Sequence, residues 1–187
     1  MLDVNFFYFL GYIFGRGRIQ PNRIRLSIRN SDNYLFYQFK ELICAKSKIY
    51  IGPRRTECII NNKKFIGKVL KYNPPTSKAA EPLLFISSWT SHFIRGLFDS
   101  SGRIFLHKNK YLNVTLTSYS SLISSLRDFL YSLDISSKIF FRYSHTNTSQ
   151  MLITKHDDCL RFCEFVYSNL EQIFYLTRKF DIFNSVE

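Results

Sequence analysis

Acidic residues are scarce in this sequence, and so are alanines and apolar stretches long enough to cross a membrane. The chain of 187 residues has 14 Asp and Glu against 26 Lys and Arg, which gives a formal net charge of +12. The apolar stretch from Val4 to Phe14 is too short to span a bilayer, and its basic neighbours, Arg16 and Arg18, follow it instead of preceding it. The sequence therefore predicts neither a membrane span nor a signal peptide.

Cysteine is also rare, and its distribution is irregular. Cys44, Cys58, Cys159 and Cys163 show no framework spacing, which argues against a disulfide-stabilised secreted domain. Cys159 and Cys163 are four positions apart and follow His156, so a metal site is conceivable there. No second pair of ligands accompanies them, and buried helix cysteines are the better interpretation. We therefore predict no metal and no cofactor.

The positive charge is concentrated in one half of the chain. Residues 1–90 contain 15 Lys and Arg against 5 Asp and Glu, whereas residues 91–187 contain 11 against 9. The net charges of the two parts are thus +10 and +2. A sequence pI of about 9.6 predicts a polyanionic partner, and the uneven distribution predicts that the first half makes most of the contact.

The composition also suggests where the gene originates. The chain has 19 Phe and 12 Tyr but only three alanines, Ala45, Ala79 and Ala80. Phe, Tyr, Ile, Asn and Lys have AT-rich codons, which is typical of mitochondrial genes. We expect a protein of the mitochondrial matrix. An organelle-encoded gene would explain why no presequence is visible.

Two short stretches 85 residues apart are versions of one motif, FLGYIFGRG at 9–17 and FIRGLFDSSG at 93–102. In each, a glycine is followed four positions later by a small residue: Gly11 by Gly15, and Gly96 by Ser100. This spacing places both small residues on one face of a helix, where a second helix could approach closely. The final glycine of each copy begins a Gly-Arg-Ile sequence, which leads into a predicted strand.

The paired motif resembles that of the LAGLIDADG homing endonucleases and maturases. The resemblance implies an α+β fold in which two α-β-β-α-β-β-α halves are related by a pseudo-twofold axis. Two antiparallel sheets would form a saddle, with the motif helices packed at the interface. We predict a first half at 1–72, a linker at 73–89 that contains three prolines, and a second half with a C-terminal helix at 90–187.

Periodicity and turn residues place the individual elements. Ser31 and Asp32 are predicted to cap the second helix. Helices are predicted at 3–15, 31–46, 64–72, 90–100, 120–133, 156–169 and 170–182, and strands at 23–29, 48–51, 56–60, 103–107, 110–118, 138–143 and 150–154.

The resemblance also locates the metal-binding acids of the family, one at the end of each motif helix. Arg16 and Ser101 occupy these positions. An arginine would repel a divalent cation, and a serine offers one weak neutral oxygen, whereas Mg²⁺ prefers carboxylates. Asp99 is two residues back and should point away from the helix end. We therefore expect no catalytic residue and no cleavage.

The strand 23–29 alternates strictly, with Arg23, Arg25 and Arg29 on its polar side. A solvated face that only prevents edge aggregation is the alternative interpretation, but three arginines on one face favour contact with nucleic acid. The matching strand of the second half presents Asn and Thr. The full set of predicted nucleic-acid contacts is Arg16, Arg18, Arg23, Arg25, Arg29, Lys48, Tyr50, Arg54, Arg55, Arg103, Lys108, Lys110, Lys138 and Arg142.

These observations favour a cleavage-incompetent protein of LAGLIDADG type that binds structured RNA. We expect a monomer within an organellar ribonucleoprotein such as a mitochondrial ribosome or an intron-splicing complex, with other proteins as neighbours and no membrane. RNA recognition tolerates unequal halves because it reads shape, backbone and splayed bases. The alternatives are a DNA homing endonuclease and a DNA-binding protein that does not cleave.

Overall fold

The computed structural model describes residues 4–74, 89–107, 111–141, 147–168 and 174–186. The first half contains α1 (Val4–Arg16), β1 (Arg18–Gln20), β2 (Arg23–Arg29), a 3-10 turn (Asn30–Asp32), α2 (Tyr34–Leu42), β3 (Lys48–Ile51), β4 (Arg55–Ile60) and α3 (Lys63–Leu70). The second half contains α4 (Thr90–Ser101), β5 (Gly102–His107), β6 (Tyr111–Tyr119), α5 (Ser120–Tyr131), β7 (Lys138–Phe141), β8 (Thr148–Ile153), α6 (His156–Tyr167) and α7 (Thr177–Asn184).

Each half forms one antiparallel sheet of four strands. Sheet 1 has the strand order β1-β2-β4-β3, and sheet 2 repeats it as β5-β6-β8-β7. The two halves therefore share one topology, which confirms the predicted α+β duplication. Most of the predicted linker, residues 75–88, lies outside the described residues.

The alternation in β2 determines which side of sheet 1 is buried. Ile24, Leu26 and Ile28 are at most 4% exposed and belong to the hydrophobic core, whereas Arg23 and Arg29 are exposed. Since side chains alternate along a strand, all odd-numbered residues of β2 lie on the opposite side. We call this opposite side, in either sheet, the outer face.

The motif helices α1 and α4 pack side by side in the centre of the molecule. A Cβ atom added at Gly11 would lie 1.9 Å from the carbonyl oxygen of Phe93, and one added at Gly96 would lie 1.8 Å from that of Tyr8. Both glycines are therefore required for backbone-to-backbone contact. The Phe7 and Trp89 rings stack at 4.3 Å near the other end of the pair.

The core accounts for the apolar character of α1. Its residues from Phe6 to Phe14 are all buried, so the helix is covered on every side by the protein. Within the described ranges, none of the helices combines the length and apolar character that a bilayer crossing requires.

The predicted cap of α2 is wrong. Ser31 and Asp32 lie in the 3-10 turn, and no side chain caps the helix that follows. The Asp32 carboxylate instead accepts a hydrogen bond from Arg178 Nε at 2.9 Å. An ion pair to a distant helix therefore replaces the local cap. Helix α2 also ends at Leu42, four residues before the predicted end.

The predicted start of the last helix, residue 170, is also wrong. Residues 174–176 are not helical, and α7 begins at Thr177. The Leu176 N–H donates to the Asp99 carboxylate at 2.9 Å, so this segment stays extended to satisfy a buried acid. Tyr34 of α2 also donates a hydrogen bond to the carbonyl of Tyr175 at 3.0 Å. Residues 169–173 lie outside the described residues.

Candidate nucleic-acid interface

The ends of α1 and α4 meet between the two sheets. A Cβ atom added at Gly15 would lie 1.9 Å from Ser100 Oγ and 3.1 Å from Ser101 Oγ. The two positions at which the family resemblance places metal-binding acids, Arg16 and Ser101, are thus brought together. Ser101 Oγ donates to the carbonyl of Leu97 at 2.9 Å, so its hydroxyl hydrogen is already engaged.

Asp99 is the carboxylate nearest to this point along either motif helix, and it is only 3% exposed. Its Oδ2 atom accepts hydrogen bonds from Tyr8 Oη and from the Leu176 N–H, both at 2.9 Å. Burial raises the pKa of this carboxyl group, and the nearby Lys179 ammonium opposes that rise. The bonded oxygen is thus directed into the core, as the helical spacing predicts.

A cleft of about 500 Å³ opens beside the helix ends, between the outer faces of the two sheets. Its lining includes six cationic side chains, Arg16, Arg29, Arg55, Arg103, Arg178 and Lys179. The acids in the lining are Asp32 and Asp99. Asp32 is paired with Arg178, and Asp99 is buried, so neither neutralises the remaining arginines.

Three of these arginines have no side-chain partner among the residues that the structure describes. Within the described part of the chain, Arg16, Arg29 and Arg103 form no ion pair and no side-chain hydrogen bond. Arg55 donates a long hydrogen bond to Ser27 Oγ, at 3.5 Å. Partial burial lowers the pKa of Arg16, and the charges of Arg55, Arg103 and Arg29 lower it further. We call Arg16, Arg29, Arg55 and Arg103 the arginine cluster.

The outer face of sheet 1 extends this positive surface. Arg18 lies directly opposite Arg25 across β1 and β2, and Arg29 lies opposite Arg55 across β2 and β4. Like charges placed directly opposite each other destabilise a sheet, so this arrangement opposes folding and favours binding of an anion. The acid on this face is Glu57, 3.8 Å from Arg25.

The structure thus brings together most of the residues predicted from the sequence. Arg18, Arg23, Arg25, Arg29, Lys48, Tyr50 and Arg55 share the outer face of sheet 1, and Arg54 lies in the turn between β3 and β4. Arg103 joins the cluster from β5, whereas Lys138 lies on the far edge strand of sheet 2. The predicted contacts Lys108, Lys110 and Arg142 lie outside the described residues.

Sequence reasoning missed Arg178 and Lys179 as parts of the cleft. Both come from α7, whose start was predicted seven residues too early. The one local signal is the pair of adjacent basic residues itself. Such a pair gives no indication that α7 contacts the first half of the chain, where Arg178 pairs with Asp32.

The outer face of sheet 2 has the same strand register as that of sheet 1 but carries different side chains. The strand registers make Thr115 equivalent to Arg25, Tyr119 to Arg29, Thr148 to Arg55 and Gln150 to Glu57. A second cleft of about 290 Å³ is lined by such hydroxyl and amide side chains together with Arg16 and Arg103. Uncharged hydrogen-bonding groups therefore replace most of the arginines.

Two buried basic side chains, Lys179 and Arg95, connect α4 to its neighbouring elements. Lys179 Nζ donates to the carbonyls of Asp99 at 3.1 Å and Gly102 at 2.8 Å, and also to that of Phe98. Arg95 Nε donates to the carbonyl of Val166 at 2.6 Å, at the end of α6. These carbonyls belong to helix ends that carry partial negative charge, so both cations stabilise the framework.

The two cysteines considered as part of a metal site belong to the core, and His156 beside them is half-buried. Cys159 and Cys163 are fully buried, and burial raises the pKa of the Cys159 thiol to about 12. His156 Nδ1 accepts a hydrogen bond from the Leu112 N–H at 3.3 Å. Over the described residues, no three side chains of His, Cys, Asp or Glu are grouped to hold a metal ion.

His92 of α4 gives the fold a testable pH dependence. Burial and then the charge of Arg95 lower the pKa of His92 to about 4, against about 6.5 in an unfolded chain. The unfolded state therefore binds the proton more readily, and stability falls as the pH drops from about 6.5 to 4. We expect a loss of about 1 to 2 kcal/mol between pH 7 and pH 5. His92→Gln, compared with the parent in urea unfolding at both pH values, should remove most of this loss. An unchanged pH dependence in the variant would contradict this assignment.

The comparisons with known proteins agree with this geometry. Residues 88–167 match the family model described as a LAGLIDADG-like domain. The LAGLIDADG meganuclease I-AabMI bound to uncleaved DNA has a similar structure, with a TM-score of 0.68 and 16% identity over 97% of this chain and 90% of that one. None of the curated proteins matches the sequence.

A second group of similar structures belongs to DUF199/WhiA. Its N-terminal LAGLIDADG domain has a TM-score of 0.64 and 18% identity over 87% of this chain and 80% of that one. The full-length protein from Thermatoga maritima has a TM-score of 0.65 and 17% identity over 98% of this chain, which spans 59% of that protein. Residues 88–167 are thus similar to a LAGLIDADG-like domain, and the described chain has the LAGLIDADG fold across both halves.

Proposed function

We propose that this protein binds nucleic acid across the outer faces of its two sheets, without cleaving it, and that it favours structured RNA. The observation that carries the proposal is the arginine cluster at the ends of the motif helices. Its members come from α1, β2, β4 and β5, and three of the four are unpaired within the described residues. Guanidinium groups match phosphate oxygens in pairs and also stack on bases, so such a cluster suits a nucleic-acid backbone.

The chemistry at the helix ends supports binding without hydrolysis. Two-metal cleavage needs carboxylates that hold divalent cations on both sides of the scissile phosphate. Arg16 contributes a positive charge, the Ser101 hydroxyl is bonded to Leu97, and Asp99 is buried with one oxygen bonded twice. These residues do not fit a divalent metal. We infer that Arg16 contacts a phosphate directly.

The preference for RNA rests on the inequality of the two halves. A palindromic duplex presents similar surfaces to both sheets, yet Arg25, Arg29 and Arg55 of sheet 1 are replaced by Thr115, Tyr119 and Thr148 in sheet 2. Folded RNA presents backbone in one place and unpaired bases in another. The abundance of residues with AT-rich codons supports a mitochondrial ribonucleoprotein, a ribosome or a splicing complex, as the setting.

Binding to duplex DNA is the second candidate. The observation in its favour is the structure of I-AabMI with uncleaved DNA, to which 97% of this chain is similar. Every arginine of the outer face could also contact DNA phosphates.

The test combines a binding assay with a nuclease assay. The purified protein would be titrated with a structured RNA and with duplex DNA of equal length at several salt concentrations. It would then be incubated with supercoiled DNA in Mg²⁺ or Mn²⁺. We expect tighter binding to RNA and no nicking. Arg16→Ala combined with Arg103→Ala should weaken binding at least tenfold, because it removes two unpaired guanidinium groups that contact phosphates.

The matched control is Arg127→Ala on α5, an exposed arginine paired with Asp128 at 2.8 Å. This change should leave binding unaltered. Specific nicking that EDTA abolishes would overturn the inactive assignment. Stronger binding to duplex DNA would favour the second candidate, and identification of the nucleic acid that co-purifies with the native protein would decide the biological partner.

A further inference from the structure

The edge strands β3 and β7 carry a matching Lys-Ile-aromatic sequence at equivalent positions. β3 contains Lys48-Ile49-Tyr50, and β7 contains Lys138-Ile139-Phe140. Tyr50 lies opposite Glu57, and Phe140 lies opposite Gln150, which are themselves equivalent residues of β4 and β8. This repetition contrasts with the central strands, where arginines in one half are replaced in the other.

Both aromatic rings lie on the outer face and are about half exposed, Tyr50 at 51% and Phe140 at 50%. Within the described ranges, neither has a ring contact or a hydrogen bond from its side chain. The residue between cation and ring, Ile49 or Ile139, packs against the core from the other side. The isoleucines therefore anchor each strand to the core, and the rings on the opposite face have no evident structural function.

The lysines alone have an ordinary explanation. Edge strands commonly carry a charged residue that discourages pairing with another chain. An exposed aromatic residue does the opposite, because it adds apolar surface to an unprotected edge. Its presence at both equivalent positions therefore indicates a ligand with flat apolar faces.

We propose that Tyr50 and Phe140 each stack on an unpaired base, while Lys48 and Lys138 contact the phosphate beside it. This inference rests on the proposed function and deepens it. Residues two apart on a strand share a face about 7 Å apart, so one nucleotide can reach both. Proteins that bind single strands combine basic residues with aromatic rings in this way. The ligand would be a nucleic acid whose folded part contacts the arginine cluster. Its unpaired segments would lie over β3 and β7.

The positive charge of the surrounding surface favours a nucleic acid over a protein strand added to the edge. Lys48 shares the outer face of sheet 1 with Arg18, Arg23, Arg25, Arg29 and Arg55. A protein strand would bind to the backbone groups of β3 or β7, and its affinity would depend little on the ring.

Single-stranded RNA carrying 2-aminopurine provides the probe, because fluorescence from this base falls when it stacks. We would titrate the full chain with such an RNA and with the same sequence as a duplex. Tyr50→Ala and Phe140→Ala should each weaken single-strand binding about tenfold, since stacking of one base contributes on this scale. Together they should abolish the fluorescence change. Duplex binding should change less than threefold.

The control variants separate stacking from general effects. Tyr50→Phe and Phe140→Tyr keep the rings and should retain the signal. Tyr131→Ala removes a ring that is 75% exposed on α5, and it should have no effect. Equal losses with duplex and single strand, or unchanged single-strand binding in the double variant, would overturn the stacking sites while leaving nucleic-acid binding intact. A parent protein that binds neither form would overturn both proposals.

Discussion

Gly11→Leu or Gly96→Leu should destabilise the protein by about 3 kcal/mol or more, a large part of the stability of an ordinary domain. The reason is that even one added carbon would lie within 2 Å of a carbonyl oxygen on the facing helix. The obstacle is backbone and cannot rotate away, so α1 and α4 must separate. Urea unfolding followed by circular dichroism would measure the change, and alanine at either position should already show a clear loss.

Gly67 provides the matched control. It also lies within a helix, α3, but a Cβ atom added there has no neighbour within 4 Å. Gly67→Ala should therefore stabilise the protein by about 0.5 to 1 kcal/mol, because alanine favours the helix. If all three glycines tolerated alanine equally, close contact of the motif helices would be refuted.

The largest effect on binding is expected from Arg23, Arg25 and Arg29 of β2. Replacing all three with alanine removes three charges from one outer face. Each phosphate contact that is lost should reduce the slope of log K against log salt by about 0.7 to 0.9. A triple variant should therefore show both weaker RNA binding and a slope flatter by about 2. Fluorescence anisotropy at several salt concentrations would give both quantities.

Thr115→Ala with Thr117→Ala tests the equivalent positions of sheet 2. These side chains carry no charge, so their loss releases no counterions and should leave the slope unaltered. Equal effects from the two sets of substitutions would mean that sheet 1 does not dominate binding. A triple variant that binds like the parent would exclude the outer face of sheet 1 altogether.

Much of this arrangement could be predicted from the sequence because its determinants are local. The alternation of β2 identified the buried and exposed sides, and the paired glycines identified the contact between α1 and α4. The imbalance of charge between the halves appears in the structure as arginines in sheet 1 and hydroxyl or amide groups in sheet 2. The first two patterns depend on spacings of two to four residues, and the third can be counted directly from the composition of each half.

The errors occurred where distant contacts override local preference. Asp32 has the residue type of a helix cap, but its carboxylate pairs with Arg178, which is 146 positions away. The segment before α7 has helical composition, but Leu176 donates its N–H to buried Asp99 and remains extended. No local pattern reveals these partners, so Arg178 and Lys179 could not be placed in the cleft.

The close contact of α1 with α4 has a consequence for any partner that touches both sheets. Each sheet follows directly on its motif helix, since β1 begins two residues after α1 and β5 begins at the residue after α4. Helices in backbone contact leave no space for sliding or separation, so the span between the two outer faces is set by the protein. Under the proposed function, the bound nucleic acid would adapt to this fixed spacing, so sequences or folds that deform easily should bind better even at nucleotides that the protein does not touch. The protein would act as a rigid template that selects its partner by deformability.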